Sequence, residues 1–198
     1  MKLNRVTLTL GLAATLAVLV AVSFAVQRGA GDGGKALVGG PFQLVDQDGG
    51  AADEAVLKGR WSAVFFGFTH CPDVCPGTLQ ALSAAAAQLG PEQAKDLQVV
   101  FISVDPARDT PAALKSYLES QRLPVRTVGL TGDEAHIKAA AAAYRAYYER
   151  AGLKGGGYTM NHSTAVYLMD RRGRFDRVLA YGLTPAEMAV QIKAAIQG

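Results

Sequence analysis

Sulfur and strong charge are scarce in this chain: its 198 residues include two cysteines, four methionines and three histidines, and its net charge is +3. Two cysteines cannot build a multi-bridge scaffold, so the fold must rest on an apolar core, and the thiols are left for chemistry or for one structural disulfide. Lys and Arg are scattered among acids with no run of five, which removes the electrostatic footprint that nucleic-acid binding requires. No internal repeat is visible, which excludes a repeat architecture. What remains, with 49% hydrophobic and 19% charged residues, is the composition of an ordinary folded protein with one core.

The longest apolar run lies at the start. VTLTLGLAATLAVLVAVSFAV, from Val6 to Val26, holds no charge and as a helix would span about 31 Å, close to the hydrocarbon thickness of a bilayer. That length exceeds the apolar region of a secretory signal peptide, so residues 1–27 are expected to be a membrane anchor, although Ser23 and Ala25 leave a cleavable signal open. A segment of this kind delivers the domain behind it across the membrane. In a bacterial source the expectation is a single pass of the inner membrane with the C-terminal domain in the periplasm. Residues 28–38 read as a flexible tether and 39–198 as one domain.

Within that domain, Phe42 and Leu44 alternate with polar neighbours ahead of the turn signal DQDGG, which predicts a short strand or hairpin. WSAVFFGF at 61–68, aromatic and β-branched with almost no polar atoms, and LQVVFISV from Leu97 show the pattern of strands covered on both faces. Helices are expected from Pro76 to Leu89, from Asp109 or Thr110 with Pro111 in the first turn, and from a capping box of Thr131 and Glu134 to about Tyr148, ended by the glycines at 155–157. Strands TAVYLMD and RFDRVLAYG flank a turn at RRG, and Thr184, Pro185 and Glu187 open a last helix. The order β-α-β-α-β-α-β-β-α predicts an α/β, thioredoxin-like fold, a central mixed sheet flanked by helices.

Both cysteines fall in FFGFTHCPDVCP, at a strand-to-helix junction. Free N–H groups and the helix dipole are expected to ease thiolate formation there. Three residues separate Cys71 from Cys75, one more than in a thioredoxin-type pair, which places both sulfurs on one face with room between them. A disulfide remains open. Of the histidines, His136 reads as a solvent-face residue and His70 as a neighbour pointing away from the sulfurs. His162, in YTMNHS before a strand expected beside the central one, is the candidate third donor. Two thiolates and an imidazole suit Cu(I), accept Cu(II) with an added oxygen, and can hold zinc with water.

FFGFTHCPDVCP, then VFISVDPARDTP, then YTMNHSTAVYLMDRRGRF, behind an N-terminal anchor, resemble the Sco/SenC family of membrane-anchored copper-binding proteins that assist cytochrome c oxidase assembly. The resemblance runs from about Gly39 to the C-terminus. It implies a thioredoxin-like domain in which Cys71, Cys75 and His162 bind one copper ion, delivered to the dinuclear copper site of oxidase subunit II or to another copper protein. Many members carry an acid where this chain has Asn161. Asp105 resembles a family position near the site but reads equally as a strand-ending loop acid. Asp73 reads as a helix cap, Met160 as packing, and Phe65, Phe66 and Phe68 as core, with Phe68 shielding the sulfurs.

The rival reading is a thiol-disulfide oxidoreductase using Cys71 and Cys75 without metal, although the MNHST stretch lacks the proline that thioredoxins place opposite their cysteines. A peroxidase fits less well, since Phe68 stands three residues before Cys71 where peroxiredoxins have Thr or Ser. A copper sensor would use the same site. In each copper reading the thiols must be reduced before metal loads, which calls for a thiol reductant such as a thioredoxin-like protein as a second partner.

Overall fold

The computed structural model describes residues 38–198. The expected anchor, and all of the tether except Val38, lie outside the described residues; within them no helix is long and apolar enough to cross a membrane. A seven-stranded mixed sheet forms the centre. Strands β3 (Trp61–Gly67) and β4 (Leu97–Ser103) run parallel in its middle, and every residue of both is buried. Their largely apolar runs follow from helices covering both faces; the polar exceptions are satisfied internally, Gln98 donating to the Ser62 hydroxyl and the Ser103 hydroxyl to Asp109.

β5 (Arg126–Thr131) continues the parallel set on the far side of β4. The hairpin of β1 (Gln43–Asp46) and β2 (Ala51–Asp53) then closes that edge antiparallel. On the other side β8 (Val166–Met169) pairs antiparallel with β3, and β9 (Phe175–Leu179) with β8. The turn between these two uses Gly173 at φ 75°, a left-handed conformation that glycine adopts without a steric cost.

The helices are α1 (Val74–Ala87), α2 (Pro91–Asp96), α3 (Pro111–Gln121), α4 (Glu134–Ala143) and α5 (Pro185–Gln197). Thr110 caps α3, and Thr184 with Glu187 makes the expected box on α5. The structure differs from expectation in several places. α1 begins two residues before Pro76, so Cys75 lies inside it; Asp73 occupies the cap position but its side chain makes no cap hydrogen bond. The short α2 follows Gly90, where the sequence suggested only a stop. Asp133 caps α4 by accepting from the His136 N–H, because the Thr131 hydroxyl is turned inward and donates to the Asp109 carbonyl. Finally, α4 stops at Ala143, and Arg145 at φ 54° turns the chain out of the helix.

Residues 148–152, read as the tail of that helix and the loop after it, instead form β6 (Tyr148–Gly152). It pairs antiparallel with β7 (Tyr158–His162) in a separate two-stranded sheet. The glycines at 155–157, all at positive φ, make the tip of this hairpin rather than a helix stop.

Close packing of α3 on β5 depends on Gly129, where an added Cβ would lie 2.5 Å from Leu118 Cδ1 and 2.8 Å from Leu114 Cγ. Gly129→Ala should therefore cost about 1–3 kcal/mol in urea unfolding. Gly152→Ala, with nothing within 4 Å of its new methyl, should change stability by less than about 0.5 kcal/mol. Equal effects at the two positions would refute the packing account.

Candidate metal centre

The chain leaves β3 at Gly67 and turns through Phe68, Thr69 and His70 into Cys71, whose N–H donates to the Phe68 carbonyl (3.2 Å). Cys75, one residue into α1, donates its N–H to Cys71 Sγ (3.3 Å). Cys71 is half-buried, whereas Cys75 is fully buried against the sheet. That burial needs a strand residue without a side chain: a Cβ on Gly67 would lie 2.8 Å from Cys75 Sγ and 2.9 Å from the Phe101 ring. The turn is pinned from behind by Asp109, a fully buried carboxylate. It accepts from the Thr69 N–H (3.0 Å), the Thr69 hydroxyl (2.6 Å) and the Ser103 hydroxyl (2.6 Å).

His162, the last residue of β7, brings Nε2 to 3.4 Å from Cys75 Sγ. Its Nδ1 lies 2.9 Å from the Ser163 carbonyl oxygen. A carbonyl can only accept, so Nδ1 carries the proton and Nε2 keeps its lone pair toward the sulfurs. The rings of Phe65 and Phe68 stand edge-on to the imidazole at 5.9 and 5.8 Å. Burial holds the His162 pKa below its ordinary value, partly offset by backbone bonds to Ser163 and Phe66, and so favours the neutral ring.

Among the described residues, Cys71, Cys75 and His162 form a group whose three donor atoms lie within 4.8 Å of one another. Donors sharing an ion through bonds of about 2.0–2.3 Å lie at most about 4.6 Å apart, so only a small contraction of the group is needed to seat one. Soft sulfur with imidazole is the donor set that favours copper.

With this geometry in view, the comparisons with known proteins are specific. The SCO1/SenC family pattern matches residues 30–197. The chain belongs to the SCO1/SenC family. It is 40% identical over 153 residues to the mitochondrial SCO1 homolog 1 of Arabidopsis thaliana, covering 77% of this chain and 45% of that protein. To SenC of Rhodobacter capsulatus it is 38% identical over 176 residues, covering 82% and 78%. The chain thus spans under half of the first relative and most of the second. The copper-bound structure of Bradyrhizobium japonicum ScoI superposes with a TM-score of 0.71 at 46% identity, covering 79% of this chain and 98% of that one. The sheet with helices on both faces is the thioredoxin-like fold of these relatives.

Other candidates fall outside the three-donor group of this SCO1/SenC chain. His70 is exposed, with Nδ1 3.0 Å from the Thr69 hydroxyl and 3.8 Å from Asp109. His136 is paired with Asp133 on the surface. Asp105 is buried and engaged by the Tyr158 hydroxyl (2.9 Å) and Arg108 Nε, an anchor role between the two readings of the sequence. Met160 is buried and, with Asp73 and Asn161, lines the cleft of about 290 Å³ that opens over Cys71 and His162.

Gly67, Asp109, Arg108 and Tyr158 escaped the sequence reading as site residues. Only Asp109 carried a signal there, as a possible helix cap. The expectation of an eased thiolate fails at Cys75: burial pushes its thiol well above the ordinary range, and the Cys71 sulfur adds to the rise despite an opposing bond from the Phe68 backbone. Desolvation of the buried sulfur outweighs the helix start.

This geometry predicts two outcomes. Gly67→Ala should lose about 1–3 kcal/mol of stability, and Cys75→Ala in that background should recover most of it; strictly additive effects would place the clash at Phe101 instead. Burial also raises the Tyr117 and Tyr144 hydroxyls. These groups and Cys75 hold protons in the folded chain that the unfolded chain releases, so their contribution is complete below about pH 9 and lost above it. The urea midpoint of the reduced, metal-free protein should fall from pH 9 to 11; a flat profile would contradict the burial account.

Proposed function

We propose that this SCO1/SenC chain is a copper chaperone that carries one ion, Cu(I) or Cu(II), on Cys71, Cys75 and His162. Its recipient is the dinuclear copper site in subunit II of cytochrome c oxidase. The observation that carries the reading is the convergence of two sulfurs and an unprotonated Nε2 within 4.8 Å. The copper-bound relative supports copper over zinc. The apolar run Val6–Val26 supports a single-pass anchor in the inner membrane, with residues 28–38 as tether and 39–198 as a periplasmic domain.

Each residue has a distinct part in handling the cargo. His162 offers a lone pair without first losing a proton, while both thiols must lose theirs, so loading releases protons and requires the reduced pair. A thioredoxin-like reductant keeps that pair reduced. Phe65 and Phe68 limit water at the imidazole and hold its ring. Cys71, half-exposed in the cleft, is the sulfur that a recipient thiolate reaches first. The buried Cys75 releases last.

The same asymmetry favours a second reading, a thiol-disulfide oxidoreductase. In it Cys71 attacks a partner disulfide and Cys75 resolves the mixed disulfide; the two thiols give up two electrons and two protons, and the partner's disulfide becomes two thiols. That reading has no use for His162.

Titration of the reduced full-length protein with Cu(I) against a competing chelator should give one ion per chain. Cys71→Ser and Cys75→Ser should abolish tight binding, and His162→Ala should weaken it by at least about tenfold. Unchanged affinity and stoichiometry in His162→Ala would sink the three-donor reading in favour of the oxidoreductase.

A further inference from the structure

We propose that Arg108 is the positioning residue for His162, clamping the β6–β7 hairpin so that the imidazole faces the two sulfurs. The inference rests on the reading of His162 as a copper ligand. The hairpin pairs with no strand of the seven-stranded sheet, and an isolated two-stranded ribbon is marginal by itself. Its base is tied next to His162: the Ser163 N–H donates to the Tyr147 carbonyl (2.9 Å), and the Tyr147 N–H to the Ser163 hydroxyl (2.8 Å). A tie at one end leaves the ribbon free to tilt about that end.

The other end of β7 is held by Arg108, in the loop between β4 and α3. Its guanidinium lies over the Tyr158 ring at 3.9 Å, and its Nη1 donates to the Tyr158 carbonyl (3.2 Å). Its Nε donates to Asp105, the carboxylate that also accepts from the Tyr158 hydroxyl (2.9 Å). Arg150 also lies over the same ring, at 4.2 Å. Arg108 also lies 5.7 Å from the centre of the Phe68 ring, whose edge-on partner is the imidazole. One side chain therefore holds both the strand that carries His162 and an aromatic ring that flanks it. A planar fork is needed, because only a guanidinium can bond a carboxylate and a carbonyl while stacking on a ring; a lysine ammonium cannot do all three.

The test uses the full-length protein and two readouts. In the reduced, metal-free protein, the His162 ring resonances should carry shifts from the Phe65 and Phe68 ring currents in the NMR spectrum. Arg108→Gln should collapse those shifts, and Arg108→Lys should not restore them. In Cu(I) titrations, Arg108→Gln should weaken binding about tenfold and cost nothing further in a His162→Ala background, since its effect runs through the imidazole. Should Arg108→Gln not fold, Tyr158→Leu, which removes the stacked ring, is read in the same way.

Unmoved His162 resonances overturn the proposal, as does an equal loss of affinity in both backgrounds. If His162→Ala itself leaves copper affinity intact, the ligand reading fails and the proposal with it, while collapsed resonances in Arg108→Gln would still show the clamp to be structural.

Discussion

The approach of His162 Nε2 to 3.4 Å from the Cys75 sulfur joins groups 87 residues apart in the chain, and the architecture around it can be read as the set of conditions for that contact. β3 must end in a residue without a side chain so that the sulfur can lie against the sheet. β8 must return antiparallel beside β3 so that the residues just before it, Ser163 and His162, arrive over the start of α1. The Ser163 carbonyl must take the Nδ1 proton so that a lone pair, not an N–H, faces the thiols. Each condition is met by a different element, so the donor group is a property of the tertiary fold more than of any one segment.

Two opposing effects act on the thiols, and their balance bears on function. A helix N-terminus favours a thiolate by a fraction of a unit charge confined to its first turn, while loss of hydration on full burial acts on the whole charge. At Cys75 burial wins. A thiol that keeps its proton is a poor nucleophile, whereas a metal ion can displace that proton because the ligand bonds it forms are far stronger than the lost hydration. A buried, protonated sulfur therefore suits a late-releasing ligand or a resolving thiol better than an attacking one.

The donors are also unequal in how firmly they are held. Cys71 and Cys75 belong to a turn and helix seated on a sheet whose central strands are buried along their whole length. His162 belongs to a ribbon outside that sheet, fastened by backbone pairing at its base and by the Arg108, Asp105 and Tyr158 cluster at its far end. A site with two rigid donors and one on a separate ribbon can keep its sulfur pair in place while the third donor moves, an arrangement compatible with a cargo that must be both held and released.

Much of this was legible in the chain itself. The paired cysteines between an apolar strand and a proline, the buried strands β3 and β4, the RRG turn, the caps of α3 and α5 and the three-motif resemblance rest on signals confined to a few neighbouring residues. Local sequence failed where a distant group decided the outcome. Tyr148 continues a helical pattern by composition but pairs with His162 across a hairpin; Thr131 looks like a helix cap but bonds to Asp109; Gly67 looks like any strand glycine until the Cys75 sulfur is placed against it. The thiol's raised pKa belongs to the same class. The sequence alone determined which groups the chain can offer to a metal, because side-chain chemistry and short-range propensity are written residue by residue. Whether those groups meet, and how dry the meeting place is, was decided only by tertiary packing, since burial and contact depend on residues dozens of positions away.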